Sequence, residues 1–92
     1  MTKVTWGKLV NNQLNRIPNV IARKFRFWVA LVEESGIREI RRHTGFHDEP
    51  LKGERYGQRS VRLNRAYRAI YVDHETCEVN LIEIVEVSKH EY

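Results

Sequence analysis

The apolar residues of this chain keep one period before Gly36 and another after Gly57, and this switch restricts the fold more than any other feature. In the first stretch Val10, Leu14 and Ile17 recur at i, i+4 and i+7, one stripe of a helix running from Gly7 to Ile17. Pro18 fits the first turn of a helix and breaks an interior, so a second helix is predicted to start there. Its stripe is Ile21, Phe25, Trp28 and Val32, and Gly36 is its natural stop. These two helices should form a hairpin, followed by one or two further helical turns over 37–42. Residues 43–57 carry Pro50 and three glycines and read as loop. Beyond them "RSVRL" at 59–63 alternates, "YRAIYV" at 67–72 is aromatic and β-branched, and "DHETCE" at 73–78 is a polar turn. "VNLIEIVEV" at 79–87 is nearly continuous in apolar residues, as in a strand buried on both faces. With a short strand at 2–6, the order is β, α, α, then three strands with short connections, which favour antiparallel pairing. The expected class is α+β, a curled sheet with helices on one face.

A chain of 92 residues is one domain, residues 1–92, with a thin core. Its charge is segregated along the sequence. Residues 1–37 carry a net +4, residues 38–68 a net +5 and residues 69–92 a net −5. The central basic block is suited to a polyanion, or to an acidic segment of a partner, although a solvated surface would look the same. Cys77 is the only cysteine, so a reducing compartment is expected. Nothing at the N-terminus resembles a signal peptide and no stretch reaches membrane-spanning length, so the chain is expected in the cytoplasm with no membrane partner.

Alternation puts Ser60 and Arg62 on one face of a strand and Val61 and Leu63 on the other. On the following strand Arg68 shares a face with Ile70 and Val72, opposite Tyr67, Ala69 and Tyr71. Guanidinium groups bind phosphate bidentately and keep their charge. The same arginines could instead pair with Glu83 and Glu86 across the sheet. Lys52, Arg55, Arg59 and Arg65 belong to the same basic block and are candidates for contact with a polyanion such as RNA. The tail "SKHEY" ends a greasy strand with His90, suited to proton transfer near neutral pH, flanked by Lys89 and Tyr92. A frayed polar terminus would read alike. His43 and His47 stand four apart beside Asp48 and Glu49, but Gly45 lies between them in a loop and no further ligands cluster there, so no metal is expected. Trp6 and Trp28 fall on apolar stripes and are expected in the core.

Three stretches resemble the RelE-like toxins of bacterial toxin–antitoxin systems, and within them the HigB or killer-protein branch. They are "VTWGKLVNNQLNRIP" at 4–18, "EPLKGERYGQRSVRLNRAYRAIYV" at 49–72 and "VEVSKHEY" at 85–92. The resemblance implies a short N-terminal strand and a helical hairpin packed on a curled, mainly antiparallel sheet. It implies a ribonuclease without cofactor or metal that cuts mRNA, most often in the ribosomal A site. It also implies a cognate antitoxin, often a helix-turn-helix protein, through which alone the complex would meet operator DNA. On that resemblance Arg62 takes the family's basic strand position and Arg68 the arginine that supports the scissile phosphate. Lys89 and His90 fall at the catalytic tail, and Tyr92 resembles its terminal aromatic. A sister branch of the same fold, the ParE type, inhibits DNA gyrase and generally lacks a histidine tail. A non-catalytic RNA-binding module is a further alternative.

Overall fold

The computed structural model describes residues 1–75 and 79–89; the predicted Cys77 turn and the tail residues His90 and Tyr92 lie outside that range. Strand β1 (Thr2–Trp6) leads into α1 (Lys8–Arg16), α2 (Asn19–Ser35) and the short α3 (Ile37–Arg41). Single 3-10 turns at Thr44–Phe46 and Gly53–Arg55 flank a two-residue strand, β2 (Glu49–Pro50). Then come β3 (Arg59–Arg62), β4 (Tyr67–Glu75) and β5 (Asn80–Lys89). The five strands form one sheet in the order β1-β5-β4-β3-β2. β1 runs parallel to β5, and the other neighbours are antiparallel.

The helical stripes are buried as their periodicity requires. Val10 and Leu14 of α1 and Ile21, Phe25, Trp28 and Val32 of α2 face the core, with Ile17 half-buried. Pro18 caps α2 at its start, and Gly36 ends it with φ 86°, a left-handed value that favours glycine. The sheet contributes Val61, Leu63, Ala69, Tyr71, Ile82, Ile84 and Val87 to the same core. Trp28 stands at its centre, packed on Phe25 and on Tyr71 with ring centroids 6.3 Å and 5.5 Å away. Burying a side chain of that size contributes roughly 1.5–3 kcal/mol. Trp6 is less enclosed and meets Phe25 edge-on at 5.3 Å.

Two strand assignments change. β4 continues through Asp73–Glu75, where a polar turn is expected from the sequence. Contacts across elements hold those polar residues in the sheet: ion pairs from Arg41 to Asp73 at 2.9 Å and from Arg38 to Glu75, and a hydrogen bond between His74 and Glu83 at 2.8 Å. β5 is central in the sheet but not buried on both faces. Ile82, Ile84 and Val87 are enclosed, whereas Glu83 is exposed and Glu86 and Ser88 are only half-buried. A bulge falls where Ile70 pairs with Glu86 and Tyr71 with Ile84, leaving Val85 as the extra residue. β1 stops pairing at Ile84, and α1 lies along the part of β5 beyond it. There the Gln13 side-chain oxygen accepts the Val87 backbone N–H at 2.8 Å, closing an edge the strand leaves open.

Candidate active site

The face of the sheet turned away from α1 and α2 carries the polar residues in two cross-strand rows. Register places Glu49, Ser60, Ile70 and Glu86 side by side, and Arg62, Arg68 and Ser88 in the next row. Strand alternation builds this face, because Val61, Ala69 and Val87 between them point into the core. The β3–β4 connection is fixed by Asn64, whose side-chain oxygen accepts the backbone N–H groups of Ala66 and Tyr67 at 2.7 Å and 2.8 Å. That turn carries Arg65 to the rim. The result is a cleft lined by His47, Glu49, Ser60, Arg62, Arg65 and Arg68, with Asn64 and Tyr67 at its edge.

The cations of this region differ in what holds them. Arg55 donates to Glu86 at 2.6 Å and to Gln58 at 2.9 Å. Burial pushes the Glu86 carboxyl up, but the Ser88 hydroxyl and Arg55 outweigh it and hold Glu86 below its ordinary 4.5. Arg59 points the other way and donates to Asp48 at 2.6 Å. The Asp48 carboxylate is almost wholly enclosed, with its side chain 1% exposed. It also accepts the Tyr71 hydroxyl, and Arg41 donates to that same Tyr71 oxygen at 3.1 Å. Burial is the largest influence on Tyr71 and raises its pKa; Asp48 adds to the rise.

Arg62 and Arg68 have no such partners. Neither forms an ion pair among the described residues, and the Arg68 Nε is buried without a hydrogen-bond acceptor. Of the carboxylates on this face, Glu83 bonds His74 and Glu86 bonds Arg55, while Arg68 reaches Glu86 only through its charge, helping to hold that carboxyl down. A buried donor without an acceptor costs on the order of 1–3 kcal/mol, and an incoming phosphate oxygen would relieve it.

Of the residues expected at the site, Arg62, Arg65 and Arg68 are brought together and Arg55 stands beside them over Glu86. Lys52 is exposed in the segment before Gly53–Arg55. Arg59 belongs to the buried Asp48 network. Lys89 pairs with Tyr67, so it leaves the sheet on the face opposite Arg68. His90 and Tyr92 lie outside the described residues. Two lining residues, His47 and Glu49, went unassigned to the cleft because their segment reads as loop; the two-residue strand β2 brings Glu49 alongside Ser60. Among the described residues, no group of three or more His, Cys, Asp or Glu is gathered as for a metal. No described helix is long and apolar enough to cross a membrane.

Solved structures match this architecture over almost its entire length. A YoeB/ParE toxin from Agrobacterium tumefaciens superposes with a TM-score of 0.75 at 17% identity, covering 97% of this chain and 99% of the other. The chain has the RelE-like toxin fold. A chain of an archaeal RelE–RelB complex from Pyrococcus horikoshii gives 0.71 at 23% identity, covering 96% of this chain and 93% of that one. A YoeB–YefM complex from Staphylococcus aureus gives 0.71 at 17% identity, covering 99% of each chain. No protein-family model matches the sequence, and no curated protein matches it. At these identities the RelE-like likeness speaks for the fold, and the chemistry has to be argued from the cleft.

Proposed function

We propose that this protein is the toxin of a type II toxin–antitoxin pair, of the HigB-like branch that its sequence resembles. It cuts mRNA in the ribosomal A site and so stops translation. The observation that carries this reading is the Arg62–Arg68 pair, two guanidinium groups on one face that form no ion pair among the described residues, with a buried Arg68 N–H lacking an acceptor.

RNA brings its own nucleophile, the 2′-hydroxyl. A base takes its proton while the oxygen attacks the adjacent phosphorus. The bond from phosphorus to the 5′-oxygen breaks, and an acid protonates that oxygen, leaving a 2′,3′-cyclic phosphate. Glu49 is the carboxylate lining the cleft and is assigned the base. His90, with Tyr92 as support, is assigned the acid of the tail, and Lys89, on the face opposite Arg68, takes no part in the cleft. Arg62 and Arg68 neutralise the charge that gathers on the phosphoryl oxygens in the transition state. Lys52, Arg55 and Arg65 are assigned to the surrounding RNA and ribosomal backbone, whereas Arg59 is committed to Asp48 and is not. Protein groups supply every step, so cleavage should survive chelation once ribosomal magnesium is restored. The partner is a cognate antitoxin, and structures of this fold have been solved as RelE–RelB and YoeB–YefM complexes.

Inducing the protein and mapping 5′ ends of cellular mRNA, with and without elongating ribosomes, tests the reading. New in-frame ends that vanish when elongation is blocked are expected. Unchanged mRNA together with inhibited DNA supercoiling would replace this proposal with gyrase inhibition.

A further inference from the structure

His47 and Glu49 reach the cleft from a segment with little sheet to hold it. β2 pairs at only two positions, Glu49 with Ser60 and Pro50 with Arg59, and Pro50 has no N–H to donate. One further backbone bond runs from the Leu51 N–H to the Gln58 carbonyl at 2.9 Å. Glu49 itself forms no ion pair among the described residues. His47 has φ 46° and ψ 50°, a left-handed conformation that a residue with a side chain adopts only at a cost. Backbone of that kind persists where its surroundings fix it.

Asp48 supplies the fixing. Along 46–49 the side chains of Phe46 and Asp48 go inward, and those of His47 and Glu49 line the cleft. Both Asp48 oxygens are taken, one by Arg59 Nε at 2.6 Å and the other by the Tyr71 hydroxyl. Tyr71 is held in turn by Arg41, and Arg41 by Asp73. The network therefore ties this segment to β3, β4 and α3 at once. Burial and Asp48 both raise the Tyr71 pKa, so its hydroxyl keeps the proton that it donates. An apolar side chain could anchor the segment as firmly, but a carboxylate gripped at both oxygens also fixes its direction. We propose that Asp48 is a positioning residue: gripped by Arg59 and Tyr71, it sets the backbone of residues 47–49 so that the Glu49 carboxylate faces the phosphate held by Arg62 and Arg68. The inference rests on the reading of Glu49 as the base. Misplacing a reacting group by about 1 Å can cost about a hundredfold, so loosening this segment should lower the rate and leave binding alone.

The test uses the full chain with Asp48→Asn, which keeps the shape but loses the charge and one acceptor. Tyr71→Phe, which removes a single hydrogen bond, answers the same question if Asp48→Asn does not fold. Val32→Ala, a core truncation in α2 far along the chain from the segment, controls for lowered stability. Amide hydrogen exchange reads the segment without RNA. Protection of the Leu51 amide is expected to fall at least tenfold in Asp48→Asn and in Tyr71→Phe, and no more than twofold in Val32→Ala. Single-turnover cleavage on programmed ribosomes, at a temperature where every variant is folded, reads the consequence. The maximal rate should fall at least tenfold in Asp48→Asn, with the half-saturating ribosome concentration within twofold of wild type and Val32→Ala at the wild-type rate. Added to Glu49→Gln, Asp48→Asn should change the residual rate less than twofold, because no base is left to misplace. Unchanged Leu51 protection, or a tenfold loss that persists in the Glu49→Gln background, overturns the proposal. A wild type that cuts no RNA, or Glu49→Gln that cuts at the wild-type rate, overturns the reading of Glu49 and the positioning role with it. Failure of the clamp alone is told apart from that by the exchange data.

Discussion

Arg41 and Arg59 serve the helix-covered side of the sheet, whereas Arg62 and Arg68 occupy its open side, and the two pairs live in opposite surroundings. Arg41 and Arg59 are tied through Tyr71, Asp73 and the enclosed Asp48. Arg62 and Arg68 face each other across β3 and β4 with no ion pair among the described residues. Placing like charges opposite one another in a sheet is destabilising, and here only the attraction of Arg68 to Glu86 offsets part of it. The paired arginines are part of what holds α3, the Asp48 segment and β4 together. The unpaired ones are a standing cost to the fold, which makes sense where an anion is to be received.

The comparison breaks most readily at Asp48. Asp48→Ala strands Arg59 and the Tyr71 hydroxyl, and a loss of roughly 3–5 kcal/mol is expected from urea denaturation, the range for breaking a buried pair by removing one partner. For a domain of this size that is a large share of the total. Tyr71→Phe keeps the ring against Trp28 and removes only the hydroxyl, so about 1–3 kcal/mol is expected. Its pH dependence sharpens the point. Unfolded tyrosine ionises near 10.0 and native Tyr71 higher, so this contribution is complete below that pH and drains away as the pH rises beyond it. The gap between wild type and Tyr71→Phe should therefore narrow in alkali.

Glu86 runs in the opposite sense. Its native pKa lies below 4.5, so its contribution is present above that value and is lost as the pH falls through the lower native one. Glu86→Gln should flatten the acid limb of the stability profile by a fraction of a kcal/mol, because Arg55 and Glu86 are both partly in solvent. The smallest effect is expected at Arg68. Arg68→Met keeps the aliphatic stem and removes an unsatisfied buried N–H, so stability should stay within about 0.5 kcal/mol of wild type or rise.

Much of this division was legible in the sequence, and for a local reason. Periodicity is a property of neighbouring residues, so Val10, Leu14, Phe25 and Trp28 announced the core, and alternation separated Arg62 from Val61 and Arg68 from Ala69. What the sequence hid is long-range. Glu83 and Glu86 looked like partners for the strand arginines, but the hydrogen bonds of Glu86 go to Arg55, 31 residues away in a 3-10 turn, and to Ser88, and Arg68 reaches it through charge alone. Arg59 looked like a surface cation, yet it meets Asp48 from a segment that reads as loop. The same reading concealed Glu49 and His47, because a two-residue strand leaves no period to detect. The bulge at Val85 is likewise silent in a continuous apolar run.

The central claim is that the open-face arginines are kept unpaired for a phosphate. Single-turnover cleavage of mRNA on programmed ribosomes by Arg68→Met, with Tm measured on the same preparation, tests it most directly. A rate lower by roughly a hundredfold or more at undiminished Tm is expected, the usual worth of a preorganised charge in a transition state. Cleavage at the wild-type rate by a folded Arg68→Met protein would contradict it.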